Sequence, residues 1–386
     1  MSWIDGYAFD LPEDERMVLE TARAFAEQEV LPLAAKIDHE HWFPRALVAK
    51  MGALGFMGAT APVALGGSGL SQLAYCIIVE EVAAACASTS IILSAHHSLC
   101  LSPIVEYGTP EQHAAWVPKL ARGEWLGCFA LSEPGTGSDA GSLTTTVRCD
   151  GDDYIINGTK NWITNGPEAD VGVLFATQAP GEGHKGVTAF VHSMKLPGIT
   201  IGKKEDKLGI CGSPTSSITY DNVRLTRANL LGEEKRGFRV AMTTLNGGRM
   251  GVAAQAVGIA RAALRDALAY AKQRKTFGRF IAEHQSIQNY LADMVTRIDA
   301  ARYLTLGAAR LKDRGLEHAR AAAQAKLFAA ETAMWVANKG VQIHGGYGYV
   351  RDFPAERHLR DAKITEIYEG TSEIQRIVIS GDLIRN

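Results

Sequence analysis

Between Pro214 and Pro354 the chain contains no proline, and no other feature restricts its fold so strongly. Proline removes a backbone donor and clashes with the preceding turn, so a gap of this length opens the way to long helices. The residues inside the gap are rich in Ala, Leu, Arg, Lys and Gln, all good helix formers. From Arg249 to Lys272, the residues Val252, Ala256, Ile259, Ala263 and Ala267 recur at three- and four-residue steps, as one buried helical face requires. Their small side chains permit close helix contact. Similar patterns predict helices over 283–313 and 317–344, with Gly315 as the stop between them, and a last amphipathic helix over 371–384.

The middle of the chain reads differently. Pro134, Pro167, Pro180, Pro197 and Pro214 punctuate the stretch from Trp125 to Leu231. Between them lie SLTTTVRC, DYIING, VGVLFAT, GVTAFVH and SSITYDNVRL, short runs rich in β-branched and aromatic residues that end at turn formers. An all-β unit of about 110 residues fits this region. The first third returns to helical patterning in ERMVLETARAFAEQEVLPLA and LAYCIIVEEVAAACASTSIILSAHHSLC, broken by the loop TAPVALGGSG. The expected order is helical, β, helical, in a chain of 386 residues that is long enough for two or three domains. It carries no internal repeat.

Charge and cysteine usage exclude several classes. Forty basic and 42 acidic residues give a net charge of -2, so no bulk field favours nucleic acid or an anionic membrane. No apolar run reaches the roughly 18 residues of a membrane span. The acidic start MSWIDGYAFDLPEDER lacks the features of a signal or transit peptide, and a cytoplasmic location is expected. Cysteines 76, 86, 100, 128, 149 and 211 form no CxxC pair and are expected to be reduced core residues.

Several motifs compete for the chemistry. GTGSDA at 135–140 matches a dinucleotide fingerprint in spacing, yet a strand pattern follows where that motif needs a helix. Such a loop can still let backbone amides approach a ligand closely. The histidines of HEH (39–41) and HH (96–97) lack the spacing of a helical zinc motif, and no metal site is expected. HGGYG at 344–348 looks like a lipase oxyanion loop but has no nucleophile motif to serve, and a glycine C-cap with a turn explains it equally. ITEIYEGTSEIQRIVIS at 364–380 is the most informative. Gly370 breaks the chain, Thr371 is a candidate N-cap, and Glu369 stands just before the helix. That carboxylate either complements the helix dipole or acts as a general base where a glycine lets substrate come close.

With those residues in view, the chain resembles the acyl-CoA dehydrogenases from about Leu11 to Ile384. The resemblance rests on ALSEPGTGSDAGS (130–142), NGTKNWITNG (157–166), RKTFG (274–278) with HQ (284–285), QIHGGYGY (342–349) and RDAKITEIYEGTSEIQR (360–376), in the family's order. It implies an α+β fold with an N-terminal α-helical domain (1–122), a middle β-barrel-like domain (123–232) and a C-terminal helical bundle (233–386). It also implies FAD as cofactor, an acyl-CoA thioester as substrate, electron-transfer flavoprotein as electron acceptor, and a homotetramer.

The resemblance assigns roles residue by residue. Glu369 becomes the base that takes the α-proton, with its pKa raised by desolvation. The developing oxyanion is held by the backbone N–H of Glu369 and a flavin hydroxyl. Phe129, Leu131, Ser132, Gly137, Ser138, Trp162, Ile163 and Thr164 would line the flavin ring, with Trp162 covering one face. Thr371, Ser372 and Glu373 would present a helix N-terminus to its pyrophosphate. Arg274, Lys275, Thr276, His284 and Gln285 would serve the adenine dinucleotide half of a neighbouring subunit's cofactor. Gln342, Ile343, His344, Gly345 and Gly346 would do the same. For the acyl-CoA, Ser138, Asn246, Gly247, Gly248, Arg249 and Gly370 match substrate positions, with Arg249 expected at a helix start. Some relatives carry the base on that helix, at the position that is Gly248 here, and glycine cannot do acid–base work. The whole chain looks most like the short-chain, butyryl-type branch. The alternatives are a branched, cyclic or aromatic acyl-CoA, or an acyl-CoA-binding flavoprotein or oxidase relative.

Overall fold

A computed structural model describes residues 11–385 of the chain. The leader expectation rests largely on residues 1–10, which lie outside the described residues. Helices fill the first third. Seven strands follow, and long helices complete the chain, which is the α+β order expected.

The helical stretches at the two ends of the chain share one core. Phe25, Met51, Tyr75, Ile78 and Val82 from the first third pack in the same buried cluster as Met250, Val257, Ile298, Ala329 and Val336. At its centre runs the helix Gly237–Gln273, which carries no proline. The face predicted from Val252 to Ala267 is buried, but so is every residue from Gly247 to Leu264. A helix surrounded on all sides has no polar face. Its buried Arg261 is accommodated by ion pairs to Glu80 (2.5 Å) and Glu81 (2.8 Å).

This helix also corrects one expectation. Arg249 is not at a helix start but about a third of the way along, because the helix begins at Gly237 and continues through Gly247 and Gly248. A glycine pair is costly in a helix interior. Here the burial of the whole segment overrides that local cost. The other predicted helices appear as Gln285–Asp313, Ala319–His344 and Ser372–Arg385, with Gly315 in the left-handed conformation between the first two. In the first third, Cys86 adopts an extended conformation and divides Gln72–Ala85 from Ala87–Ser94 within a stretch that reads as continuous.

The strands are β1 (Gly127–Ala130), β2 (Thr146–Asp150), β3 (Asp153–Thr164), β4 (Val171–Thr177), β5 (Val187–Ser193), β6 (Ile199–Ile201) and β7 (Thr215–Leu225). They form one curled sheet in the order β1-β4-β2-β3-β7-β6, with β5 on β4. Side chains alternate along β4 as a strand demands. Val171, Val173 and Phe175 face the helices, against Leu101, Val117 and Val240, while Leu174 and Ala176 face Ile156, Phe190 and Tyr220 inside the curl. GTGSDA opens no helix, in keeping with its rejection as a dinucleotide fingerprint. All six cysteines are free, and five are buried. Cys149 is exposed, because it lies near the end of its strand, where burial falls off after Val147.

Candidate active site

The β half of the site is built on a buried ion pair. Lys160, wholly inside the sheet, donates to the Glu133 carboxylate at 2.7 Å and to the Leu131 carbonyl at 3.0 Å. Glu133 also accepts from the Thr144 and Thr145 amides at 2.7 and 3.0 Å. Burial alone would raise the Glu133 pKa, but the Lys160 cation and these donors bring it down to about 2. The Asn161 amide ties down the Ser132 carbonyl at 2.8 Å. The Leu131–Glu133 segment is therefore held from within, while Leu131, Ser132, Gly137 and Ser138 line a cavity of about 790 Å³.

Trp162 reaches that cavity by a backbone irregularity. The β3–β7 register shifts between Lys160 and Ile163, and Trp162 has φ +61. Bulges of this kind re-aim side chains beside functional sites. Trp162 is 61% exposed and lines the cavity with Ile163, Thr164 and Phe129.

The opposite wall comes from the C-terminal segment. Glu369 and Gly370 have φ +54 and +93, so a non-glycine residue occupies the left-handed region directly before the final helix. That conformation costs roughly 1–2 kcal/mol. It is held by Gln375, whose Nε2 donates to the Gly370 and Glu369 carbonyls at 2.8 and 3.3 Å, and by Lys326, which donates to the Gly370 carbonyl at 2.7 Å. Thr371 caps the helix through its hydroxyl, which accepts from the Ile374 amide at 3.3 Å.

Both Glu369 carboxylate oxygens are buried without a hydrogen-bond partner. Burial pushes this carboxyl up to about 7, against the opposing pull of Lys326 and Arg249. Arg249 is buried too, with one nitrogen donating to Asn246 at 2.7 Å and its Nε unpartnered. The position of Gly248 explains the glycine pair in the long helix. A Cβ there would overlap the Glu369 Oε2 atom and press on Leu99 at 3.0 Å. The absence of a side chain at 248 makes room for the one at 369. Apolar residues close the cavity behind the carboxylate. Ile91, Ala95 and Leu99 come from the first third, Ala95 and Leu99 on a π-helical turn, and Leu245 from the long helix.

The structure keeps the residues expected around the flavin ring and the acyl-CoA apart from those expected to serve a neighbouring subunit's cofactor. Phe129, Leu131, Ser132, Gly137, Ser138, Trp162, Ile163, Thr164, Arg249, Glu369, Gly370 and Thr371 line the cavity just described. Arg274, Thr276, Ile343, His344, Gly345 and Gly346 line a second cleft of about 690 Å³. Lys275, His284, Gln285 and Gln342 do not line that cleft, although His284 bonds Thr276 at 3.2 Å. Asn246, Gly247, Gly248, Ser372 and Glu373 do not line the first cavity either. The Ser372 amide is already committed to the Glu366 carbonyl at 3.0 Å, which leaves fewer helix N-terminal amides for a ligand than expected. The HGGYG glycines do cap a helix, with Gly345 at φ +63.

Lys326 and the Glu133–Lys160 pair went unassigned at the sequence level. A signal for Lys326 existed. It sits among Ala322, Ala323, Ala325, Ala329 and Ala330, on the apolar side of an amphipathic pattern where a lysine is out of place.

The cavity has room and polar groups for a cofactor. A Cβ at Gly137 would meet no protein atom within 4 Å, and among the lining side chains Glu369 and Arg249 hold buried polar atoms without partners.

Residues 12–124, 128–223 and 235–384 match the N-terminal, middle and C-terminal domain models of the acyl-CoA dehydrogenases. The human mitochondrial short-chain specific acyl-CoA dehydrogenase is 51% identical over 98% of this chain and 92% of its own length. The structure of butyryl-CoA dehydrogenase from Megasphaera elsdenii superposes with a TM-score of 0.96 at 44% identity, covering 98% of this chain and all of that one. A chain solved in work on the electron transferring flavoprotein of Acidaminococcus fermentans and flavin-based electron bifurcation gives the same TM-score, 0.96, at 46% identity, again over 98% of this chain and all of that one. Three domain models in sequence, near-complete coverage and identities near one half leave one placement: the chain belongs to the acyl-CoA dehydrogenase family.

Proposed function

We propose that this enzyme removes an α-proton and a β-hydride from a short-chain acyl-CoA thioester, giving a trans-2-enoyl-CoA, and passes the electrons to electron-transfer flavoprotein. The observation that carries the reading is Glu369, a buried carboxyl without a hydrogen-bond partner, lifted to about 7 beside a cavity of about 790 Å³. A thioester α-C–H is a weak acid, so the base aimed at it works best with a pKa near the operating pH. The FAD, when bound, supplies the acceptor for the hydride.

The chain's residues do the rest. Glu369 takes the α-proton onto its carboxylate while its own backbone N–H holds the thioester oxygen. Phe129, Leu131, Ser132 and Thr164 orient the ring system, and Trp162 covers a face. Arg249, a cation next to the base, favours the carboxylate that must receive the proton. Ile91, Leu99 and Leu245 exclude water from the acyl group. The names of the relatives support a short acyl chain and the flavoprotein acceptor.

The cleft at Arg274 and His344 would receive the cofactor of a second copy in a homotetramer. Exposed aromatics support this: Phe277 and Tyr349 are 96% and 86% exposed. The division into 1–122, 123–232 and 233–386 belongs to the same proposal, as does a cytoplasmic location. Six free cysteines suit a reducing compartment. No helix among the described residues is long and apolar enough to cross a membrane.

The test is anaerobic titration with butyryl-, octanoyl-, isovaleryl-, cyclohexanecarbonyl- and phenylpropionyl-CoA, following the flavin band. Butyryl-CoA should bleach it fastest. Glu369→Gln should keep the yellow flavin and bind acyl-CoA but slow bleaching by about 10⁴-fold. Bleaching at near-parental rate would remove Glu369 from the role of base.

A further inference from the structure

Beneath the base lies a lysine that lines neither of the two cavities. Lys326 is 0% exposed on the Ala319–His344 helix, and it does not line the space that would hold substrate and flavin. A buried ammonium needs a partner. It has one in the Gly370 carbonyl at 2.7 Å, the residue directly after the base.

We propose that Lys326 is a positioning residue for the reaction: its ammonium clamps the left-handed Glu369–Gly370 turn and supplies a positive charge that favours the deprotonated form of the neighbouring carboxylate. This rests on the reading of Glu369 as base. Glu369, a non-glycine residue at φ +54, would relax if released. The Gly370 carbonyl is held by two donors, Lys326 and Gln375. Gln375 belongs to the same segment as the turn and moves with it. Lys326 belongs to a separate helix and ties the turn to the core.

The charges around the pair support the electrostatic part. Glu369 is faced by Arg249 from the long helix, by Lys326, by Tyr75 from the Gln72–Ala85 helix, and by its neighbour Tyr368. Lys326 is faced by Glu369, Arg249, Glu366 and Glu373. Burial pulls the ammonium down to about 8, and the Glu369 carboxylate is the strongest of the groups that hold it up. The two groups therefore sustain each other's charge. Arg249 differs in that it lines the cavity, where a bound ligand changes its surroundings. Lys326 can reach the substrate only through the Glu369–Gly370 turn.

The test uses the FAD-loaded enzyme with Lys326→Met, Lys326→Gln and Lys326→Arg. Two readouts are taken: the acid limb of kcat/KM against pH, and the titration of the Glu369 carboxyl by infrared difference spectroscopy, with Glu369→Gln as the reference that identifies its band. Lys326→Met should move both upward by about one pH unit, so that the rate below the limb falls about tenfold and largely returns at alkaline pH. Lys326→Arg should keep the parental limb. If the methionine protein does not fold, Lys326→Gln retains a donor for the Gly370 carbonyl without the charge and should show the same shift. A limb and a carboxyl titration that both stay at parental values, with only stability lowered, would make Lys326 a packing residue and overturn the proposal. Continued bleaching by Glu369→Gln would instead remove the base reading. The carboxyl titration in the Lys326 variants would still decide whether the charge acts on Glu369.

Discussion

The cavity around Glu369 draws its walls from the sheet, the long helix, the first third and the C-terminal segment, and its polar ends point inward without partners. The cleft around Arg274 and His344 is built almost wholly from two neighbouring stretches of the C-terminal region. There His344 stacks on Tyr270 at 4.4 Å and bonds the Gly340 carbonyl at 2.8 Å, and Arg274 lies over the Tyr347 ring at 5.8 Å. One region leaves a carboxylate and an arginine nitrogen unsatisfied inside. The other satisfies its inner groups and leaves aromatics outside. Unsatisfied buried polar atoms cost stability and therefore point to chemistry. Exposed aromatics around a cleft point to another molecule.

The sharpest way to break this contrast is Gly248→Ala. The added methyl needs the space of the Glu369 carboxylate, so the base must swing away, and flavin reduction should fall about 10²-fold with FAD content unchanged. A parental rate would show that the carboxylate is freer than the packing implies. Arg274→Ala touches only the cleft. It should weaken FAD retention or assembly about tenfold, the loss of one cation–π and phosphate-competent contact, while the rate per bound flavin stays within a factor of two. Size-exclusion chromatography with flavin quantitation checks this, and an unchanged, fully loaded oligomer would undo the second-copy reading of the cleft.

A separate effect is on stability. The folded state raises the Glu369 pKa to about 7, so it binds a proton more tightly than the unfolded chain does. Its favourable contribution is complete below the unfolded value and is lost as pH rises through the folded one. Glu369→Gln should therefore match the parent near pH 4.5 and gain up to about 3 kcal/mol above pH 7. Denaturant melts of the flavin-free protein across that range measure it, and no pH-dependent gain would mean that the carboxylate is better solvated than its burial suggests.

Much of this was legible beforehand. The proline gap foretold the helical C-terminal region, the β-branched runs marked the strands, and Gly315 and Thr371 marked a stop and a cap. These are local properties, set by dihedral preference and side-chain periodicity. The helix start expected at Arg249 was not met, and a local reason for the Gly247–Gly248 pair is lacking: only Glu369, more than a hundred residues later, explains the glycine at 248. Trp162 showed no sign of its left-handed backbone, because a bulge depends on the register with β7.

The sequence by itself determined the order of helical and β segments, the family to which the motifs belong, and the identity of Glu369 as the carboxylate to watch. Tertiary structure alone decided that this carboxylate is buried and unpartnered, that Lys326 stands behind it, and that Gly248 makes room for it. The reason is physical. Periodicity and turn chemistry act between neighbours in the chain, whereas desolvation, charge pairing and cavity shape arise between residues that meet only when distant segments pack.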